Sequence, residues 1–296
     1  MLSQFIIKIF RTAFKLTEMI APPLAGRWAI RLFFTPEKSR RPRQEDPFLK
    51  SAQRQKVLFR SNFKLDDSDD YYIRYSWGDG PPVLLVHGWG GNAAQMAPLA
   101  KPLLDAGYRV IAFDAPAHGD SPGKRTNMLE IAQVVEDISL HVGEFYAIVG
   151  HSLGGAVAGY AISQGVRVQK LVTIGAPVSV GLIFAEFARQ INAGPETISR
   201  LSRFVESFGG KKSEEISLVH IAPRLRAQGL IIHDKDDREI HYTQALELFR
   251  EWPGSELLLT EGLGHRRIIK DPQVVAEVLK FVNLGYKEVL MSNSAS

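Results

Sequence analysis

The sequence predicts an α/β fold in which a mainly parallel β-sheet is flanked by helices. Apolar, partly β-branched runs typical of buried strands alternate with segments of helical periodicity from about residue 80 onward. Loops containing glycine, histidine or aspartate follow several of these runs, and one loop holds a serine between two glycines. A chain of 296 residues can bury a substantial core. We therefore expect one α/β domain over residues 51–296, preceded by a helical extension and basic connector over residues 1–50.

The N-terminal extension is predicted to form two helices. Apolar residues recur at helical spacing in the first, with Lys8, Arg11 and Lys15 between them. Those apolar positions are Phe5, Ile6, Ile9, Phe10, Ala13, Phe14 and Leu16. A second apolar stretch covers residues 24–34, and residues 39–46 then form a polar connector whose arginines are expected to be solvated.

Two roles remain open for these helices. Neither reaches the roughly 20 uncharged apolar residues of a membrane span, and basic residues interrupt the apolar run, unlike in a signal peptide. Residues 1–34 either pack on the large domain or form a basic amphipathic anchor on an anionic membrane surface. Packing is favoured, because the basic residues can face water. We expect a cytoplasmic protein, which under the second alternative lies at the inner face of the membrane.

Composition argues against several function classes. Residues 1–60 carry 13 Lys and Arg against 4 Asp and Glu, while the remaining residues carry 23 against 28. Because the excess of positive charge is confined to the N-terminal segment, a nucleic-acid partner is not expected. The chain has no cysteine, which rules out disulfides and thiolate metal sites and is compatible with a reducing compartment. The sequence shows no metal-ligand spacing and no phosphate-binding P-loop, so no metal and no cofactor are expected.

The remaining elements follow in chain order. Residues 55–61 and 71–77 flank an Asp-rich turn and are predicted to form an antiparallel hairpin, and residues 93–105 a helix. Asn127 followed by Glu130 resembles a capping box at the start of a helix. Residues 170–174 form another predicted strand. Asp271-Pro272 is a typical start for a last helix, which is expected to bury Val274, Val275, Val278 and Phe281.

A candidate nucleophile lies in Gly150-His151-Ser152-Leu153-Gly154. An apolar strand, residues 145–149, precedes this G-x-S-x-G sequence, and a small-residue helix follows it. A strand, a sharp turn and a helix are the setting that exposes a reactive serine. The N–H groups at the start of the helix favour a developing oxyanion. Ser152 is therefore the candidate nucleophile.

A nucleophilic serine needs a base and an acid that orients the base. Two further predicted strands, residues 229–233 and 256–260, are followed by Asp-rich and glycine-containing loops. His265, in the second loop, is the best candidate base. The acid is one of Asp234, Asp236 and Asp237, and the other two are expected to be solvated or paired with Lys235 or Arg238. The remaining histidines are explained as turn, core or surface residues.

A candidate oxyanion hole follows the strand at residues 83–86. Glycines in His87-Gly88-Trp89-Gly90-Gly91 let the backbone bend close to a ligand. The backbone N–H groups of Trp89 and of Leu153 are the expected donors.

Together these segments resemble those of α/β-hydrolase fold proteins, in the same order and from about residue 80 to the C-terminus. The matching pieces are residues 85–91, 110–121, 150–154, 232–237 and 264–265. The resemblance aligns Asp234 with a usual glycine and so implies that Asp237 is the acid. The family's usual Pro-Gly-His-Gly is Pro116-Ala117-His118-Gly119 here. The resemblance also implies that Asp114 and His118 shape a turn.

The insert at about residues 178–228 has the apolar spacing of two or three short helices. In proteins of this resemblance that position carries a lid over the active site, and the alternative is helices that only extend the core. An apolar lid implies an ester substrate with an apolar group.

The expected activity is carboxylic ester hydrolysis by Ser152, His265 and Asp237 through an acyl-enzyme. Thioesterase, amidase, lactonase and acyltransferase chemistry would use the same residues. The alternative from another class is a non-catalytic, membrane-associated scaffold with the same fold.

Overall fold

The computed structural model describes residues 2–37 and 47–284, with side chains from residue 8 onward. The predicted connector at residues 39–46 and the end of the predicted domain after residue 284 lie outside the described residues. The strands are β1 (Gln53–Leu58), β2 (Tyr71–Trp77), β3 (Pro82–Val86), β4 (Arg109–Asp114), β5 (Phe145–His151), β6 (Val168–Ile174), β7 (Gln228–Asp234) and β8 (Glu256–Thr260). The helices are α1 (Leu2–Ile20), α2 (Pro22–Phe33), α3 (Pro47–Lys50), α4 (Ala97–Asp105), α5 (Met128–Val142), α6 (Leu153–Ser163), α7 (Val180–Ile191), α8 (Pro195–Gly209), α9 (Leu218–Ile221), α10 (Thr243–Glu251), α11 (Gly264–Arg267) and α12 (Pro272–Asn283). Short 3-10 helices cover Ala93–Met96, Ala222–Arg224 and Ile268–Lys270.

The strands form one sheet in the order β1-β2-β4-β3-β5-β6-β7-β8. The pairs β1–β2 and β2–β4 are antiparallel, and every pair from β4 to β8 is parallel, which confirms the predicted fold class. All seven residues of β5 are buried, as expected where helices cover both faces of a parallel sheet. Because parallel strands end at one edge, the loops after β3, β5, β7 and β8 meet there.

Helices cover both faces of the sheet and divide the core into two layers. One layer contains Val135 of α5 and Val157 of α6, and the other contains Leu99 of α4 and Val278 of α12. Of the four residues predicted to be buried on α12, three are buried and Val275 is only partly so.

The predicted helix starts are reproduced, with two differences. Asn127 accepts the N–H of Glu130, but the Glu130 carboxylate accepts from Thr126 Oγ1 and so does not complete a capping box. Asp271 accepts the N–H groups of Gln273 and Val274. Residues 93–105, predicted as one helix, form a 3-10 turn followed by α4. Proline lies near the start of α4, where its missing N–H costs no intrahelical bond.

The insert between β6 and β7 contains α7, α8 and α9, the predicted number of short helices. Helices α1 and α2 pack on this insert. The Glu18 carboxylate is buried and accepts the Gly194 N–H at 2.8 Å and the Thr197 hydroxyl at 2.6 Å, at the start of α8. Phe33 packs edge-on against Phe184 and Phe187 of α7. The packing alternative for residues 1–34 is therefore correct for one face of these helices. None of the described helices combines the length and apolar character that a membrane crossing needs.

Candidate active site

Ser152 occupies a tight turn between β5 and α6. Its φ is +53°, a left-handed conformation that is uncommon and strained for a residue other than glycine. The two flanking glycines allow this turn. A Cβ on Gly150 would lie 2.5 Å from the backbone of Gly154, and one on Gly154 would lie 2.2 Å from the carbonyl oxygen of Val86. The G-x-S-x-G pattern is therefore required by close backbone approach at this position.

The structure brings Ser152, His265 and Asp237 into one hydrogen-bonded chain. His265 Nε2 is 2.9 Å from Ser152 Oγ, and His265 Nδ1 is 2.7 Å from Asp237 Oδ2. His265 and Asp237 are both buried. A carboxylate at Nδ1 accepts the Nδ1–H, which leaves Nε2 free of a proton and able to accept from the serine hydroxyl. This arrangement can deprotonate Ser152 when its oxygen attacks an electrophile.

Asp237 is held in its ionised form by its neighbours. Burial would raise the pKa of this carboxyl, but hydrogen bonds involving His233, His265 and the Ile240 N–H outweigh that effect and keep the pKa well below its usual value. Oδ1 accepts the N–H groups of Glu239 and Ile240 at 2.8 and 2.9 Å. The acid is therefore fixed in orientation as well as in charge.

Asp234 differs from what the sequence predicts. Its carboxylate is fully buried rather than solvated or paired with a cation. It accepts the N–H groups of Leu263 (3.1 Å) and Gly264 (2.9 Å), which lie beside His265. It also accepts the N–H of Asp236 at 3.0 Å, in the loop that carries Asp237. Asp234 thus joins the loop of the acid to the loop of the base. Asp236 is exposed, as expected, but Lys235 pairs with Glu261 instead.

Two histidines that the sequence assigns to turn, core or surface lie against this chain of residues. His233 Nε2 is 2.9 Å from the Ile240 carbonyl oxygen, to which it donates, and 3.4 Å from Asp237 Oδ2. His151 Nε2 donates to the carbonyl oxygen of His265 at 2.9 Å. Burial lowers the pKa of His151 to about 4, so the ring is neutral at pH 7. The only available sequence signal was position, since each is the next-to-last or last residue of a strand that carries the site.

The loop after β3 lies against Ser152, since a Cβ on Gly88 would be 2.8 Å from the serine Cβ. Within this loop the Gly90 N–H donates to His118 Nε2 and the Gly91 N–H to the Gly88 carbonyl oxygen. In the sequence, Trp89 lies between Gly88, whose carbonyl oxygen is hydrogen-bonded, and Gly90, whose N–H is hydrogen-bonded. Leu153 is the first residue of α6, where a backbone N–H has no intrahelical acceptor.

Asp114 and His118 hold the loops around the site in place. Asp114 accepts the N–H groups of Ala93 and Asp120 and the hydroxyl of Tyr75. His118 is bonded to Pro116 through Nδ1 and to Gly90 through Nε2. Both contacts are structural, which agrees with the turn role implied by the resemblance.

A cavity of about 1420 Å³ borders Ser152 and His265. Its apolar wall comes from α2, from α5, from the insert and from the loop after β3. That wall includes Leu32, Phe33, Phe34, Leu129, Ile183, Phe184, Phe187, Val205 and Phe208. Among the described residues, no group of histidines and carboxylates is arranged to hold a metal ion.

Comparison with known proteins bears on the fold. The family model for the alpha/beta hydrolase fold matches residues 81–208. This match covers less than half of the chain and, together with the strand order, supports an α/β-hydrolase fold. Among solved structures similar to this α/β-hydrolase fold chain is the monoacylglycerol lipase of Paleococcus ferrophilus, with a TM-score of 0.56 and 21% identity over 71% of this chain and 98% of that one. A membrane phospholipase A described as a bacterial virulence factor matches 96% of this chain and 98% of its own, with a TM-score of 0.60 and 16% identity. At these identities the likeness concerns the fold.

Curated relatives match over shorter segments. The Magnesium-chelatase 30 kDa subunit of Rhodobacter capsulatus is 34% identical over 43% of this chain and 47% of that protein. The pimeloyl-[acyl-carrier protein] methyl ester esterase of Aeromonas salmonicida is 34% identical over 33% of this chain and 39% of that protein. The chain therefore spans less than half the length of these curated relatives.

Proposed function

We propose that this α/β-hydrolase fold protein is a serine hydrolase that cleaves carboxylic esters through an acyl-enzyme. The observation that carries the proposal is the continuous chain from Ser152 Oγ through His265 to Asp237, with contacts of 2.9 and 2.7 Å. A serine in a strained turn, a base within hydrogen-bond reach and an ionised acid behind it are the parts that nucleophilic acyl transfer needs.

The first half-reaction forms the acyl-enzyme. Ser152 Oγ attacks the ester carbonyl carbon while its proton passes to His265 Nε2. Asp237 stabilises the resulting imidazolium and holds its Nδ1–H. The N–H groups of Trp89 and Leu153 donate to the oxyanion of the tetrahedral intermediate. That intermediate collapses as the C–O bond to the alcohol breaks and His265 returns the proton to the leaving oxygen.

The second half-reaction releases the acid. Water attacks the acyl carbon and gives its proton to His265 Nε2. The bond to Ser152 Oγ then breaks, and His265 protonates the serine oxygen. With an amine or a thiol as the leaving group, the same steps describe amidase or thioesterase chemistry. With a second alcohol in place of water, they describe acyltransferase chemistry. The choice of reaction class therefore rests on the relatives. Those named as esterases or lipases favour the ester.

The substrate class is inferred from the cavity wall. Its aromatic and aliphatic side chains come largely from α2, α7 and α8, so we assign the insert as a lid over the site and expect an ester with a sizeable apolar group. Peripheral contact of residues 1–34 with a membrane is part of this proposal. The competing hypothesis is a non-catalytic, membrane-associated scaffold with the same fold.

A labelling experiment distinguishes the serine hydrolase from the non-catalytic scaffold. The full chain is treated with a fluorophosphonate probe and assayed on p-nitrophenyl esters of increasing acyl length. Wild-type protein should be labelled and should turn over the esters, with a preference for longer acyl groups. The Ser152→Ala variant should lose labelling and on the order of 10⁶ in kcat, as expected when the nucleophile of such a site is removed. A folded Ser152→Ala protein with unchanged turnover would rule out the mechanism, and an unlabelled, inactive wild type would favour the scaffold.

A further inference from the structure

We propose that the outer face of the α1–α2 hairpin (residues 2–33) is a docking surface for an anionic lipid bilayer. Half of the twelve large apolar side chains that are exposed in the described part of the chain lie within residues 9–28. Exposed apolar residues are ordinary when scattered singly, whereas a cluster marks an interaction site. Five of them form what we call the outer stripe, each between 52% and 82% exposed. The outer stripe consists of Ile9, Leu16, Met19, Ile20 and Leu24.

The spacing places this stripe on one side of the hairpin. Ile9, Leu16 and Ile20 are separated by seven and four residues, which puts them on one face of α1. Met19 flanks that face, and Leu24 follows at the exposed start of α2, just beyond the Ala21 corner. The apolar surface therefore continues from one helix to the next.

The opposite face of the hairpin already makes the contacts that the fold needs. Phe14 is fully buried, and the rings of Phe10 and Phe14 lie 5.6 and 6.1 Å from that of Trp28. On the same side, Glu18 is buried against the start of α8. A surface helix normally buries its apolar residues and exposes its polar ones. Here a carboxylate points inward while Leu16 and Ile20 point outward, so the described residues leave more than half of each side chain of the outer stripe uncovered.

Charge identifies the occupant of this surface. Lys8, Arg27 and Arg31 of the hairpin are exposed, and residues 1–60 carry 13 basic against 4 acidic residues. Anionic headgroups attract such a surface, while the acyl region accepts the apolar side chains. A second copy placed face to face would bring two basic hairpins together. No described helix is suited to span a bilayer, so the hairpin lies in the plane of the interface.

Docking at this surface places the lipid near the candidate active site. Helix α2 begins beside Leu24 of the outer stripe and ends at Phe33, which lines the cavity next to Ser152. Its 12 residues span about 18 Å. If the proposed function holds, an acyl ester dissolved in the bilayer lies about one helix length from the cavity wall at Phe33. The docking itself does not require turnover.

The test is sedimentation of the full chain with vesicles of phosphatidylcholine, with or without phosphatidylglycerol. The charge-insertion variant Leu16→Glu/Ile20→Glu should bind the anionic vesicles at least about tenfold more weakly, because two side chains can no longer be buried in the interface. The matched control Leu58→Glu/Leu140→Glu, at positions 81% and 84% exposed on β1 and α5, should bind like wild type. Binding should also weaken between about 0.1 and 1 M salt, as the Debye length falls from about 10 to about 3 Å.

The Lys8→Gln/Arg27→Gln variant tests the role of the basic side chains. Because it changes only exposed side chains, it still tests the proposal if the Leu16→Glu/Ile20→Glu variant does not fold. It should lose the preference for anionic vesicles. Three results would overturn the proposal. They are unchanged binding by a folded Leu16→Glu/Ile20→Glu variant, equal binding of the wild-type chain to neutral and anionic vesicles, and a wild-type dimer that becomes monomeric only in the Leu16→Glu/Ile20→Glu variant. The Ser152→Ala chain should sediment like wild type, so loss of activity and loss of docking are separate results.

Discussion

Replacing Asp237 with asparagine should remove most of the activity and leave the fold intact. Asparagine can keep its carbonyl oxygen on the N–H groups of Glu239 and Ile240, which Asp237 Oδ1 accepts. Its NH₂ group then faces His265 Nδ1, where Oδ2 stands at 2.7 Å. Nδ1 must accept a hydrogen bond, so the ring proton moves to Nε2 and that atom can no longer deprotonate Ser152. A wrong tautomer of this kind costs about 10⁴ in kcat, or about 5.5 kcal/mol.

The same change at Asp234 should act on stability instead. Each carboxylate oxygen accepts two hydrogen bonds, from Thr260 Oγ1 and Leu263 N at one and from Asp236 N and Gly264 N at the other. An asparagine can keep its oxygen on the Asp236 and Gly264 N–H groups and donate from its NH₂ group to Thr260 Oγ1. The part-buried Leu263 N–H is then left without its acceptor. The free energy of unfolding should therefore fall by about 1–3 kcal/mol, with part of the activity lost through displacement of the His265 loop.

Asp236→Asn is the control for this series. Asp236 is exposed, and its Oδ2 accepts one N–H, from Gly262. Its free energy of unfolding should change by no more than about 0.5 kcal/mol. The assay combines denaturant unfolding with kcat/KM on a p-nitrophenyl ester for all three variants. An active Asp237→Asn protein beside a stable, inactive Asp236→Asn or Asp234→Asn protein would refute the assignment of the acid.

Two further predictions concern parts of the molecule away from the chemistry. Burial raises the pKa of Glu130 from 4.5 to about 7. Between these two pH values the native state holds a proton that the unfolded state has lost, so the free energy of unfolding should fall as pH rises. Glu130→Gln should abolish this slope and stabilise the protein above pH 7 by up to about 3 kcal/mol in denaturant melts; an unchanged slope would show that Glu130 is ionised. Deleting residues 1–34 removes the Glu18 contacts and the Phe33 side chain, exposes Phe184 and Phe187, and should lower the Tm or the solubility. An unaltered Tm would mean that the extension does not stabilise the domain.

The sequence was most informative where local rules determine the structure. The tight turn at Ser152 depends on two glycines within two residues of it, and the helix N-cap at Asp271 depends on the next three residues. Ser152 and His265 could be placed near each other because both follow parallel strands, whose carboxyl ends share one edge. Only the choice of Asp237 among three aspartates needed the family resemblance.

Contacts between distant loops could not be predicted in this way. Asp234 resembles its two neighbours in sequence, yet its partners Leu263 and Gly264 lie about 30 residues further along the chain. Whether such a carboxylate faces solvent or two backbone amides depends on how closely the loops after β7 and β8 approach. The same holds for His151, whose acceptor is the backbone of His265. Periodicity and composition carry no information about either distance.

The N-terminal hairpin shows why an apolar pattern alone does not identify a packing face. The helical spacing of apolar residues in α1 indicates a helix, and that is correct, but those residues divide between two faces. The face that packs on the domain contains Glu18, which sequence patterns would assign to solvent. Its carboxylate is buried because the start of α8 supplies the Gly194 N–H and the Thr197 hydroxyl, and Lys15 supplies a cation. Since that contact holds α1 on the insert that lines the cavity, the extension is part of the site's framework and its free apolar stripe is a second surface.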